Sequence, residues 1–143
     1  MVSGKQEAVS GEKPNSTASG KRGALNSEKP HTKLEVWRSA MLLVKTVYEV
    51  TGDFPRHEQF GLVSQLRRAA VSIPSNIAEG KGRGTKRDFG HFLMQGRGSL
   101  YELETQIELA LDLKYLPQAQ AKELLGDCDE VGRILNGLIN STR

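Results

Sequence analysis

The sequence predicts an all-α protein: an antiparallel up-down-up-down four-helix bundle over residues 31–143, preceded by a disordered tail over 1–30. Three observations carry this. Apolar residues return at steps of three and four in four separate stretches, clusters of glycine and proline divide the stretches, and none alternates with period two in β-branched residues. A chain of 143 residues suits one such domain with a tail.

Residues 1–30 are rich in Ser and Gly, with Glu-Lys-Pro at 12–14 and again at 28–30. So few apolar residues cannot offset the entropy of ordering the segment. Its charge is +2, from five basic and three acidic side chains, which adds at most weak affinity for a polyanion. The first helix begins near Thr32. Leu34, Trp37, Met41, Val44 and Tyr48 form one apolar stripe, and Val36, Ala40, Leu43, Val47 and Val50 a second beside it. Two adjoining stripes are more than one element of a small bundle needs, and surplus apolar surface points to association with further copies of the chain. Gly52 and Pro55 end this helix.

A second helix is expected from near Glu58, with Leu62, Leu66, Ala69, Ile73 and Ile77 on its apolar face. Pro74 lies inside it, removes one backbone hydrogen bond and should kink it. The run Gly80 to Gly84 reads as a loop, after which Thr85 offers an N-cap with Asp88 three residues on. The long third helix carries Phe89, Leu93, Gly96, Leu100, Leu103, Ile107 and Ala110. Pro117 opens the fourth, whose stripe is Ala121, Leu124, Cys128, Val131, Leu135 and Leu138.

The net charge of +3 conceals an asymmetry. Residues 56–97 carry eight basic and three acidic side chains, or +5, whereas residues 98–143 carry four basic and eight acidic, or −4. The densest basic segment is Lys81, Arg83, Lys86 and Arg87, leading into the start of the third helix. Free amides and the positive end of the helix dipole favour an anion there, and glycines allow close approach of a phosphate backbone. A solvated glycine turn is the alternative. Arg67 and Arg68 lie mid-helix, either as phosphate contacts or as ion-pair partners of acidic residues on a neighbouring helix or subunit. Arg97 is placed to pair with Glu102 or Glu104, or to cross to a partner.

Catalytic patterns are weak. His31, His57 and His91 are scattered without metal-ligand spacing, so no metal or other cofactor is expected. Glu104, Glu108 and Asp112 repeat every four residues, which is the pattern of a solvent-facing acidic helix face. Ser72, Ser75 and Ser99 have no general base nearby in sequence, and Cys128 sits on an apolar seam as a core thiol. One cysteine excludes an internal disulfide, and no apolar run approaches the ~20 residues of a membrane helix. Residues 1–30 lack the apolar stretch of a secretory signal, so a cytoplasmic, non-enzymatic protein is expected.

The run from Phe60 to Gly80 (FGLVSQLRRAAVSIPSNIAEG) resembles the signature of the four helix bundle protein family, bacterial proteins encoded in intervening sequences of large-subunit ribosomal RNA genes. Leu34–Trp37, Asp88-Phe89, Phe92-Leu93, Arg97–Gln106, Leu113 with Tyr115-Leu116, and Gly132–Ile139 extend the likeness over about 33–141. The family is also similar to the accessory variability determinant of diversity-generating retroelements. The resemblance implies an antiparallel bundle, a barrel-like homopentamer, and nucleic-acid binding through positive charge. The tail is extra, Pro117 replaces a polar N-cap, and Gly90 and Gly96 stand where larger helix formers are expected, at up to ~1 kcal/mol each.

Two functions compete. The first is an oligomeric protein that binds RNA or DNA through Lys81, Arg83, Lys86, Arg87, Arg67, Arg68 and Arg97, largely without sequence specificity. Phe60, Phe89 and Phe92 are the aromatic residues of the basic segment, and all three fall at apolar-seam positions, leaving little to stack on bases. The second is a scaffold or accessory subunit for another protein, for example a reverse transcriptase.

Overall fold

A computed structural model describes residues 29–143, and the tail expected over 1–30 lies outside them but for Lys29 and Pro30. Four α-helices follow in order: α1 Glu35–Thr51, α2 Leu62–Gly82, α3 Lys86–Asp112 and α4 Gln118–Ser141. Short 3-10 turns at Pro30–Lys33 and Arg56–Glu58 precede α1 and α2. Among the described residues there is no strand. Each helix packs on its neighbours in the chain, and α4 returns to α1, so the four enclose one core.

Side-chain pairs show the direction of packing. From the α2 end towards its start, Gly80 meets Phe92, Asn76 meets Gly96, Ser72 meets Ser99 and Gln65 meets Gln106. Numbers fall on α2 as they rise on α3, as they do between helices running in opposite directions. Gly90 with Thr142, Arg97 with Asn136 and Gly132 with Leu100 show the same for α3 and α4.

Of the two stripes on α1, Val36, Ala40, Leu43 and Val47 are buried in the core. On the other stripe Trp37 is buried, Leu34, Met41 and Val44 pack half-buried against the same core, and Tyr48 is 44% exposed; Leu42, on a different side of the helix, is 63% exposed. Most of this other stripe is therefore taken up by the chain's own core as well.

Pro74 is buried inside α2, where its missing N–H leaves the Ala70 carbonyl without its usual partner. A polar node bridges α2 and α3 next to it. Asn76 Nδ2 donates to the Ser72 carbonyl at 2.9 Å and lies 3.1 Å from Ser72 Oγ, which is 2.7 Å from Ser99 Oγ.

Both ends of α2 differ from expectation. Residues 56–58 form a separate turn, and α2 starts at Leu62, whose N–H donates to Glu58 Oε1 at 3.0 Å. Gly61 caps α2 without a side chain, so Glu58 supplies the acceptor that a Ser or Asp would otherwise give. At the other end the helix runs through Gly80 to Gly82, and the loop shrinks to residues 83–85. Gly80 is buried against α3, where an added Cβ would lie 2.5 Å from Phe92 Cβ. Packing here outweighs the low helix propensity of glycine. The turn itself needs only Gly84, at φ 86°. Thr85 caps α3 as expected, its side chain accepting from the Asp88 N–H at 3.1 Å.

The glycines of α3 are less confined, and Gly98 has nothing within 4 Å of an added Cβ. Gly96 packs 3.6 Å from the Ile73 carbonyl oxygen, measured from an added Cβ, and a Cβ on Gly90 would run into the Thr142 hydroxyl. After α3, Lys114 takes the left-handed conformation at φ 64°. The N–H groups of Lys114 and Tyr115 bond back to Leu111 and Ala110, a Schellman closure with Lys where Gly is usual. Tyr115 then reaches the α1–α2 link: its hydroxyl donates to Glu58 Oε2 at 2.9 Å, and its ring lies 5.7 Å from that of Phe54.

Two predictions follow from this packing. Gly80→Ala should lower stability by roughly 1–3 kcal/mol through overpacking, because Phe92 Cβ cannot swing away. Gly126→Ala, in the exposed middle of α4 with nothing within 4 Å, should raise it by about 0.5–1 kcal/mol. Urea titrations at one protein concentration would read both signs.

A further prediction concerns Glu58, which accepts from the first N–H of α2. The Leu62 N–H first, then the Tyr115 hydroxyl, hold its carboxyl below the ordinary 4.5, with a smaller contribution from His57. A carboxylate depressed in the folded state adds stability that is present above its unfolded pKa and fades as pH falls through the folded one. Acid unfolding of the wild type should therefore steepen below about pH 4.5, and Glu58→Gln should flatten that limb. A Glu58→Gln profile parallel to wild type from pH 6 to 3 would contradict the assignment.

Candidate nucleic-acid interface

The end of the bundle where α2 hands over to α3 gathers the four cations of the basic segment. All four are exposed, and two of them lie over aromatic rings of α3. Lys81 Nζ is 5.3 Å from the centre of Phe89, and Arg83 Cζ is 4.9 Å from that of Phe92. The Gly80–Phe92 approach makes this possible, because it brings the last turn of α2 down onto the first turns of α3. Arg83 also meets Glu79 at 3.2 Å, an exposed pair four residues apart whose worth is only about 0.3–0.5 kcal/mol. It leaves the guanidinium available to a stronger anion.

Lys86 and Arg87 occupy the first turn of α3. They line an open hollow of about 760 Å³ with Gly90, His91 and Met94 on one side and Ile139, Thr142 and Arg143 of the α4 end on the other. Arg143 was not found by reading the sequence, which grouped it with the acidic C-terminal half. Its signal lay in the topology: antiparallel α3 and α4 bring the chain near residue 140 beside residue 90. Lys81, Arg83, Lys86, Arg87 and Arg143 share this end with two carboxylates, Glu79 and Asp88. Asp88 is already engaged at the cap of α3.

The other three expected residues stand apart. Arg68 precedes Lys81 by thirteen positions, about 20 Å of helix. Among the described residues Arg67 makes no carboxylate pair. Its Nε donates to Thr51 Oγ1 at 2.9 Å, its Nη2 to the Tyr48 carbonyl at 3.3 Å, and its guanidinium lies 4.4 Å over the Tyr48 ring. A cation on the last carbonyls of α1 complements the helix dipole, so Arg67 joins α1 to α2. Arg97 bonds Asn136 Oδ1 at 2.8 Å rather than Glu102 or Glu104, and joins α3 to α4.

The aromatic residues divide likewise. Phe89 and Phe92 are half-buried with one face each under a cation, but Phe60 is 97% exposed, against its expected place in the seam. Of the acidic repeat on α3, Glu108 and Asp112 are exposed, whereas Glu104 is half-buried and its carboxyl is pushed up, by burial and then by Asp129.

Reactive groups are quiet. The Cys128 thiol lies in the core, where burial and then the nearby Glu104, Asp127 and Asp129 push its pKa up to about 12. It is protonated at neutral pH. Ser72 and Ser99 bond each other, and Ser72 Oγ also accepts from the Asn76 amide, which has no basic nitrogen. Among the described residues no group of three His, Cys, Asp or Glu side chains is placed to hold a metal ion, and no helix is long and apolar enough to cross a membrane.

Comparison with known proteins gives a family and a fold. A solved structure of a protein of unknown function from the S23 ribosomal protein family, from Bacteroides thetaiotaomicron, superposes with a TM-score of 0.66 at 21% identity, covering 73% of this chain and 97% of that one. At that identity the likeness shows the fold alone. Among curated proteins none matches the chain. The family described as 23S rRNA-intervening sequence protein matches residues 32–137, which include all four helices but the last turn of α4. The chain therefore belongs to the 23S rRNA-intervening sequence protein family.

Proposed function

We propose that this protein is a non-enzymatic, oligomeric bundle of the bacterial cytoplasm that binds nucleic acid through its basic end, largely without sequence specificity. One observation carries the reading. Lys86, Arg87 and Arg143 line an open hollow, with Asp88, at the amino end of a 27-residue helix, and Lys81 and Arg83 lie beside it over Phe89 and Phe92 of the same helix. Such an end offers phosphate oxygens several cations and free amides at once. The family name points to 23S rRNA, which makes RNA the first polyanion to test.

Weak sequence preference follows from the aromatics. Phe89 and Phe92 support cations rather than presenting free faces to bases, so contacts fall on the backbone. Several copies would repeat the basic end, and avidity would then replace a tight single site.

Substituting Lys81, Arg83, Lys86 and Arg87 together by Gln should weaken RNA binding by a similar factor for unrelated sequences. It should also flatten the log–log salt dependence by about 2–3, since each phosphate contact on a single strand contributes roughly −0.7. Helix content should stay intact. Arg67→Gln is the contrast: it should lower thermal stability and leave the salt slope unchanged. Anisotropy titrations at several salt concentrations measure both. An unchanged slope in the fourfold variant would reduce the basic end to a solvated turn and favour a protein scaffold instead.

A further inference from the structure

We propose that the groove between α1 and α2 is a base-stacking site for single-stranded RNA: an unpaired base lies on the ring of Phe60, and Arg68 meets a neighbouring phosphate. The proposal deepens the nucleic-acid reading and rests on it. It adds what the basic end lacks, a surface that distinguishes an unpaired base from the inside of a duplex.

The groove is open and encloses about 550 Å³, the size of a small-ligand cleft, with Tyr48, Phe60, Val63 and Val71 as its apolar lining. Phe60 is 97% exposed, and among the described residues its ring has no aromatic or cationic partner. In this it differs from Phe89 and Phe92, each of which already lies under a cation. The backbone beneath the ring is fixed. The Gly61 N–H donates to the Glu58 carbonyl at 3.0 Å, and the Glu58 carboxylate accepts from the Leu62 N–H and the Tyr115 hydroxyl. An aromatic ring on a fixed turn gives up little freedom on binding. Every base has a π-face, so stacking on such a ring tolerates any sequence, in keeping with the weak specificity of the basic end.

Charge selects the occupant. Two guanidinium groups line the groove and no carboxylate does. Arg67 is engaged by Thr51 and by the carbonyl and ring of Tyr48, so its charge is held in the wall. Arg68 is exposed, and among the described residues it has no ion pair or hydrogen bond, which leaves its five donors open to an anion. It lies six residues after Leu62, about 9 Å along the helix from the end that carries Phe60. Gln59 and Ser64 add an amide and a hydroxyl for a base edge. An aromatic ring, a free guanidinium and adaptable polar groups together fit a nucleotide whose base is splayed out. A duplex keeps its bases stacked inside and has none to offer.

Two substitutions of Phe60 in the full chain test this. Phe60→Trp keeps a ring and supplies a reporter. A single-stranded RNA oligomer should quench the emission of the new indole, whereas a duplex of the same length and inorganic polyphosphate should not. Wild type, whose one tryptophan is the buried Trp37, gives the background. Phe60→Leu keeps apolar bulk and removes the ring. Anisotropy titrations should show its affinity for the single strand down by about 5- to 100-fold, with its affinity for the duplex and its salt slope unchanged. Arg68→Gln should flatten the slope on the single strand by about 0.7. Far-UV circular dichroism checks that all three variants fold. A bound single strand that leaves the indole unquenched, or Phe60→Leu binding it as wild type does, overturns the proposal, leaves the basic end standing and gives the groove to a protein contact. An equal loss on the duplex also overturns it, because avidity rather than stacking was then removed. A wild type that binds no RNA removes this proposal and the nucleic-acid reading together.

Discussion

Helix α2 packs tightly on α3 where Gly80 meets the Phe92 side chain, and the positions of the basic end depend on that approach. An added Cβ at Gly80 would lie 2.5 Å from Phe92 Cβ, and one at Gly96 would lie 3.6 Å from the backbone oxygen of Ile73. Two helices this close need only a three-residue link, which keeps the last turn of α2 over the first turns of α3. Phe89 and Phe92 then sit under Lys81 and Arg83 and hold their charges at the rim. The node of Ser72, Asn76 and Ser99 beside Pro74 fixes the sliding register of the same pair, because a shift of one turn would leave half-buried polar groups without partners.

The second consequence is electrostatic. The basic end lies at the close of α4, and the start of α4 lies about 30 Å away along the same helix. There Glu49, Asp53, Glu123 and Asp127 line a hollow of about 430 Å³ between α1 and α4. That separation is several screening lengths at physiological salt, where the length is about 8 Å, so the two ends act independently on a charged partner. On the proposed reading a polyanion would be drawn to one end and repelled from the other, which would orient the bundle end-on rather than along its side. In an assembly the basic ends then form one surface.

The sequence made the core legible and the surfaces much less so. Val36, Ala40, Leu43 and Val47 are buried as their spacing requires, and Cys128 is the core thiol its seam position implies. Misreadings fall where a local signal met a tertiary constraint. Gly80 and Gly82 read as a loop because helix propensity cannot register that Gly80 packs against a neighbour's Cβ. Lys114 hides a left-handed turn that Gly or Asn would have announced. Within the chain Arg67 and Arg97 bond a carbonyl and an amide rather than a carboxylate; charge is visible in a sequence, while a carbonyl or an amide at the right distance is not. Phe60 fitted the apolar period but lies just before the helix whose period it seemed to share, and so faces water. The basic end was half legible: its four central cations are contiguous in sequence, and Arg143 enters only through the topology.

Amide hydrogen exchange of the full chain with and without an RNA fragment tests the central claim most directly. If the basic end is the interface, protection should rise over residues 81–94 and 139–143, and stay unchanged over 49–58 and 112–127. Protection confined to the α1–α2 face around residues 60–72, with none at 81–94, would contradict it.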